Sequence, residues 1–103
     1  MPSGILGQAA PAATTNTTVY TVPATKLATF SINILNRSSL AISVRLAIAS
    51  TATPATAEWF EYGAAIPASG VLERTGLIAQ AGEQVVVYVS SADASVNVYG
   101  YEE

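Results

Sequence analysis

Apolar and polar residues alternate along two neighbouring stretches of the chain. The first covers residues 27–34, and the second, 40–49, carries large aliphatic side chains at every even position. A repeat of two places successive side chains on opposite faces of a β-strand, whereas a helix needs spacings of three and four. Both stretches are therefore predicted as strands. The polar turn between them, residues 36–39, predicts that they form an antiparallel hairpin.

The chain beyond residue 49 continues with short β-type segments separated by turn signals. Pro54 interrupts residues 50–57, which are predicted as a loop, and Gly76 predicts a bend within its strand. Residues 80–83 predict a hairpin turn. A strand before the alternating stretches is predicted at 18–22, where Pro23 ends it. The further strands are predicted at 58–62 (extended to 67), 71–79, 84–90 and 95–101. Seven to eight short strands and no helix indicate an all-β protein, an antiparallel β-sandwich or a small barrel.

The beginning of the chain differs in composition from the rest. Its glycines and prolines disfavour regular structure, and residues 8–17 are rich in Ala and Thr. Two interpretations stay open: a disordered tail, or an extended arm that becomes ordered on a partner through the apolar anchors Ile5 and Leu6. The chain is accordingly divided into a flexible N-terminal arm, 1–17, and a β-sandwich domain, 18–103.

Composition and charge narrow the classes of partner. Half of the 103 residues are hydrophobic and 11% are charged, against roughly 25% charged residues in typical globular domains. A surface with so few charges indicates contact with other protein. The net charge of -3 and only four basic residues argue against nucleic acid. No apolar run is long enough to span a membrane, and the first residues lack the basic region of a signal peptide.

The sequence offers no catalytic or metal-binding motif. Histidine and cysteine are both absent, which excludes disulfides and nucleophile–histidine arrangements. Lys26 has no local sequence that supports a Ser–Lys pair. Glu58 and Glu61 are three residues apart and, on a strand, would point to opposite faces rather than act as a glycosidase pair. Asp93 is the one acidic residue in its turn, and a calcium site needs a cluster of acidic ligands. We predict a non-enzymatic protein without cofactor or metal.

The aromatic side chains allow two interpretations. They form either a stacking platform for a sugar, as in carbohydrate-binding modules, or part of the core and of a protein interface. Exposed, coplanar rings would favour the first interpretation and buried rings the second. The residues concerned are Trp59, Tyr62, Tyr88, Tyr99 and Tyr101.

Several short segments carry a family resemblance through their order and spacing. They are 4–8 (GILGQ), 19–23 (VYTVP), 34–37 (ILNR), 61–62 (EY), 66–67 (IP), 70–77 (GVLERTGL), 81–83 (AGE) and 96–103 (VNVYGYEE). Together they resemble a family of small virion proteins of tailed phages, especially phages of cyanobacteria and other aquatic bacteria. Such proteins are described as virion structural, head-decoration (cement) or tail-associated proteins. The resemblance implies a component of the particle and transfers no catalytic residue.

These observations predict a capsid decoration protein that stabilises the phage head. Its expected partners are the major capsid protein or other virion subunits, and we expect a dimer or trimer that is made in the host cytoplasm and located in the virion. The expected contact residues are Ile5, Leu6, Gln8, Tyr99 and Tyr101. The alternatives are a tail, baseplate or fibre-associated virion protein and, in another class, a carbohydrate-binding module.

Overall fold

Two antiparallel four-stranded sheets form the fold. A computed structural model describes residues 3–103 of the chain. The strands are β1 (Ser3–Ala9), β2 (Thr17–Thr21), β3 (Leu27–Asn36), β4 (Ile42–Ala49), β5 (Trp59–Ile66), β6 (Val71–Gln80), β7 (Gln84–Val89) and β8 (Ala94–Glu102), with a short 3₁₀ helix at Thr56–Glu58. Sheet A has the strand order β1-β8-β3-β6 and sheet B the order β2-β7-β4-β5. The prediction of a β-sandwich is therefore confirmed, and its alternative, a closed barrel, is not formed.

The core lies between the sheets and is built from alternate residues of the central strands. From sheet A, β3 contributes Phe30 and Ile32, and from sheet B, β4 contributes Leu46, all of which are buried. Each large apolar side chain buried in this way stabilises the fold by about 1.5–3 kcal/mol relative to exposure. Because the period is two, the residues between them point away from the core and form the outer faces of the sandwich.

The two predicted hairpins are wrong, although the strands on either side of each turn are present. β3 and β4 lie in different sheets, and so do β6 and β7. Alternation identifies a strand but not its neighbours. β3 is central in sheet A and pairs with β6 and β8, while β4 is central in sheet B and pairs with β5 and β7. The turns at 36–39 and 80–83 therefore carry the chain from one sheet to the other.

Asn36, predicted in an exposed polar turn, is fully buried where the chain leaves β3. Its side-chain Nδ2 donates to the carbonyl oxygens of Leu40 at 2.8 Å and Pro67 at 3.0 Å, and its Oδ1 accepts from the backbone N–H of Ser38 at 2.8 Å. These bonds satisfy the buried amide and fasten the crossing between the sheets to the end of β5.

The beginning of the chain, predicted as part of a flexible arm, contains a strand at residues 3–9 that belongs to sheet A. β1 pairs with β8, from Ser3 opposite Tyr101 to Ala9 opposite Val96. Gly7 permits this arrangement, because a Cβ atom there would lie 2.4 Å from the carbonyl oxygen of Val19 in β2. The glycine that suggested irregular structure thus allows β1 to pack against the neighbouring sheet. The part of the predicted arm at residues 1–2 lies outside the described residues.

The predicted bend at Gly76 is confirmed. The register between β3 and β6 shifts where Phe30 faces Leu77 and Ile32 faces Arg74, so that residues 75–76 form a bulge. Gly76 has a φ of 71°, a conformation that glycine adopts without steric cost. The bulge lies on an edge strand, where such irregularities are tolerated.

Polar side chains connect the two sheets on both sides of the core, where the edge strands lie. On one side, Arg74 of β6 forms an ion pair with Glu61 of β5, with 2.5 Å between Nε and Oε2. On the other, the hydroxyl of Tyr20 in β2 donates a hydrogen bond to the buried carboxylate of Glu102 in β8. Burial raises the pKa of Tyr20 well above its ordinary 10.0, and the bond to Glu102 raises it further.

The Tyr20–Glu102 contact predicts a loss of stability in alkaline solution. The folded protein keeps the Tyr20 proton at pH values where the unfolded chain releases it, so this contribution is complete below pH 10.0 and is lost progressively above it. Tyr20→Phe should lower the free energy of unfolding at pH 7 by about 1–3 kcal/mol, because Glu102 loses its donor, and should reduce the alkaline decline. Urea unfolding between pH 7 and pH 11.5 measures both effects. Tyr62→Phe, at an exposed ring, is the control; an unchanged alkaline decline in Tyr20→Phe contradicts the prediction.

Candidate protein-interaction surface

The side chains of sheet A that point away from the core form one four-stranded surface, here named outer face A. Strand registers align them in rows that run across β1, β8, β3 and β6. One row, for example, brings Ile5, Tyr99 and Ser31 side by side. Outer face A is defined by Ile5, Gln8, Asn97, Tyr99, Tyr101, Leu27, Thr29, Ser31, Asn33, Leu35, Val71, Glu73 and Ile78.

Exposed apolar side chains are concentrated on outer face A. Among the described residues, seven large hydrophobic side chains are exposed, and five of them lie here. The other two, Leu40 and Tyr62, lie in a loop and on sheet B. The five are Ile5 (56% exposed), Leu27 (39%), Val71 (53%), Ile78 (61%) and Tyr101 (43%). Ile78 and Tyr101 flank Thr29 in one row, close to Leu27, whereas Val71 lies opposite Leu35 at the other end of the face. Contiguous exposed apolar groups mark surfaces that contact protein or ligand.

Outer face A is also nearly free of charge. Glu73 is the one ionisable acid or base in the set that defines it apart from the two tyrosines, and its carboxylate accepts a hydrogen bond from the hydroxyl of Tyr99. Neutral amides continue the same part of the surface: Nε2 of Gln8 donates to Oδ1 of Asn97 at 2.7 Å. Interface centres are depleted of charged residues and enriched in tyrosine, so this composition is typical of a protein-binding surface.

Four of the five predicted contact residues come together on this surface. Ile5 is directly opposite Tyr99, Gln8 is opposite Asn97, and Tyr101 lies two residues further along β8. Leu6 is the exception, because it packs against the core. The register shift between Ile5 and Gly7 accompanies this arrangement, in which Ile5 is exposed and Leu6 partly buried.

Three exposed apolar residues of outer face A were not named as contact residues from the sequence: Leu27, Val71 and Ile78. A usable signal existed for each of them. Val71 precedes Leu72, and Ile78 follows Leu77, so each belongs to a pair of adjacent apolar residues within a strand. Only one member of such a pair can face the core, and the other must face outward. Leu27 precedes Ala28, which belongs to the core face of its strand, so alternation places Leu27 outward as well.

The five aromatic residues do not form a single platform for a sugar. Tyr99 and Tyr101 lie on sheet A, whereas Trp59, Tyr62 and Tyr88 lie on sheet B. The rings of Trp59 and Tyr62 meet edge to face, with centroids 5.8 Å apart and planes inclined by 75°. Coplanar rings, the arrangement that favours stacking on successive sugar units, are therefore not formed by this pair.

The two glutamates considered as a catalytic pair have structural partners. Glu58 accepts hydrogen bonds from the backbone N–H groups of Ala55 at 2.7 Å and Ser50 at 3.1 Å, which lower its pKa. Glu61 is bound by Arg74. Within residues 3–103, no group of three or more acidic side chains is placed to hold a metal ion, and no helix is long and apolar enough to cross a membrane.

Comparison of the chain with protein-family models, with curated proteins and with solved structures finds no match. The resemblance to phage virion proteins accordingly stays a prediction. The function is therefore inferred mainly from the chemistry of outer face A.

The Tyr99–Glu73 contact gives a spectroscopic test of outer face A. The hydrogen bond to Glu73 raises the pKa of Tyr99 above 10.0, with smaller contributions from desolvation and from the negative charge of Glu73. Glu73→Gln removes that charge and weakens the acceptor, so the pKa of Tyr99 should fall toward its ordinary value. Titration of the tyrosine ring signals by NMR measures the change. Glu58→Gln, in the 3₁₀ helix that precedes β5, should leave the pKa of Tyr99 unchanged; an unchanged pKa in Glu73→Gln would show that the contact is absent in solution.

Proposed function

We propose that this protein is a non-enzymatic structural component of a bacteriophage particle, a capsid decoration protein that binds capsid subunits through outer face A. The observation that carries the proposal is the gathering of five exposed large hydrophobic side chains on one face that is nearly free of charge. The resemblance of the sequence to small virion proteins of tailed phages supports the choice of partner.

The size of outer face A suits a subunit contact. Four strands at a spacing of about 4.8 Å give a width of about 19 Å, and the ten residues of β3 give a length of about 33 Å. The resulting area of roughly 600 Å² approaches the roughly 800 Å² that each partner buries in a standard interface. Because the face is built on paired strands, it can contact a partner without rearrangement of its backbone.

Repetition on a lattice strengthens such a contact. A capsid presents many copies of the same binding site, and a decoration protein that is itself a dimer or trimer engages several of them at once. The second and third contacts are then intramolecular, so a modest interface gives firm attachment. The proposal therefore includes a homo-oligomer, with the virion as its location and no role for nucleic acid or a membrane.

A tail or baseplate position is the second candidate. The family that the sequence resembles includes tail-associated proteins, and outer face A would serve a tail subunit by the same apolar contacts. The two candidate functions use the same surface and differ in the partner. Binding to particles that lack either the head or the tail therefore distinguishes between them. A carbohydrate-binding module is less well supported, because the aromatic rings are divided between the sheets and Trp59 and Tyr62 are not coplanar.

A matched pair of charge substitutions tests the proposal. Ile78→Glu places a carboxylate on outer face A, and Leu40→Glu places one on an equally exposed apolar residue outside it. Purified variants are mixed with particles that lack the chain, and binding is measured by cosedimentation. Ile78→Glu should weaken binding at least tenfold, about 1.4 kcal/mol, because the charge is desolvated at the contact, whereas Leu40→Glu should bind like the wild type.

Urea unfolding of both variants provides the control for folding, since neither residue contributes to the core and both should unfold like the wild type. Equal binding of Ile78→Glu and wild type would contradict the assignment of outer face A. Binding to tailless heads supports the capsid site, and binding to isolated tails alone moves the proposal to the second candidate.

A further inference from the structure

A stacked arginine lies on the outer face of sheet B, on the opposite side of the sandwich from outer face A. Arg45 of β4 is paired in register with Tyr62 of β5 on one side and with Tyr88 of β7 on the other. The guanidinium carbon lies 4.1 Å from the ring centroid of Tyr62 and 4.4 Å from that of Tyr88. Cation–π contacts to two rings restrict the orientation of the guanidinium group.

Arg45 has no carboxylate partner within the described residues. The ion pair found in residues 3–103 joins Arg74 to Glu61 and does not involve Arg45. Guanidinium carries five N–H donors that lie in its plane. The tyrosine rings contact the face of the group and do not accept hydrogen bonds from its edge, so its in-plane donors are available to an acceptor from outside the chain.

A hollow lies beside Tyr62, the ring that Arg45 stacks on. It has a volume of about 310 Å³ and is lined by Pro54, Thr56, Trp59 and Tyr62. Tyr62 belongs to both features, because its ring contacts Arg45 and also lines the hollow. Trp59 and Tyr62 meet at 75°, so they form two walls of a recess rather than a flat platform. Because the two rings are in contact, a compact apolar group fits in the corner that they form rather than between them.

We infer that the Arg45–Tyr62 site binds an extended peptide segment that carries a carboxylate next to an apolar residue. The carboxylate accepts hydrogen bonds from the guanidinium of Arg45, a geometry that arginine and carboxylates satisfy with two parallel bonds. The neighbouring apolar residue, for which proline is a suitable shape, enters the hollow beside Trp59. A single cation matches the single negative charge of a carboxylate. The site is separate from outer face A and does not depend on the proposed role in a virion.

Trp59 is the single tryptophan of the chain, so its fluorescence reports on the hollow directly. The probe is an acetylated, amidated pentapeptide that holds one proline–glutamate pair among glycines, titrated into the full-length protein. A matched peptide with glutamine in place of glutamate has the same shape without the charge. We expect a saturable change in Trp59 emission with the glutamate peptide and at least tenfold weaker binding of the glutamine peptide.

Variants distinguish the site from general attraction between charges. Arg45→Gln should weaken binding of the glutamate peptide at least tenfold, whereas Arg37→Gln, which removes an exposed arginine that contacts Ala92, should bind like the wild type. The comparison of the two peptides on the wild-type protein stands even if Arg45→Gln fails to fold. Equal binding of both peptides, equal loss in the two variants, or no response of Trp59 overturns the inference. A response to digalacturonate without one to the peptide also overturns it, in favour of an acidic sugar.

Discussion

The two sheets are held together by the packing of their inner faces against each other. The side chains of Phe30, Ile32 and Leu46 fill the space between the central strands. Because a strand alternates its side chains, every residue committed to this core determines that its neighbours face outward. The outer faces are therefore the surfaces that the sequence can vary without loss of the fold, and the features that bear on function lie there.

Alternation made the strands predictable but left their pairing open. Residues 40–49 show a strand in the sequence, yet nothing in them shows that β4 lies in sheet B while β3 lies in sheet A. The buried amide of Asn36, which fastens this crossing, has the same sequence signal as an exposed turn. Because strand pairing was not predictable, the candidate surface could be predicted only in part. Four of its residues were named from the sequence, but their adjacency depends on β1 pairing with β8: Ile5, Gln8, Tyr99 and Tyr101.

The two outer faces are chemically different. On sheet B, Trp59 covers the small buried residues Ala47, Ala49 and Val86, and Arg45 is held between tyrosines, so the local apolar area is largely used within the chain. On sheet A, Val71, Ile78 and Tyr101 are exposed with no comparable cover in the described residues. This asymmetry favours sheet A over sheet B as the side that contacts a large partner.

We propose that outer face A is covered by another subunit in a phage particle, and cryo-electron microscopy of the native particle, with the chain traced in the density, can show this contact. We expect density on the outside of the capsid in which the exposed side chains of β1, β6 and β8 meet a capsid subunit. A chain bound through sheet B with outer face A open to solvent, or no density for the chain in the particle, would contradict it.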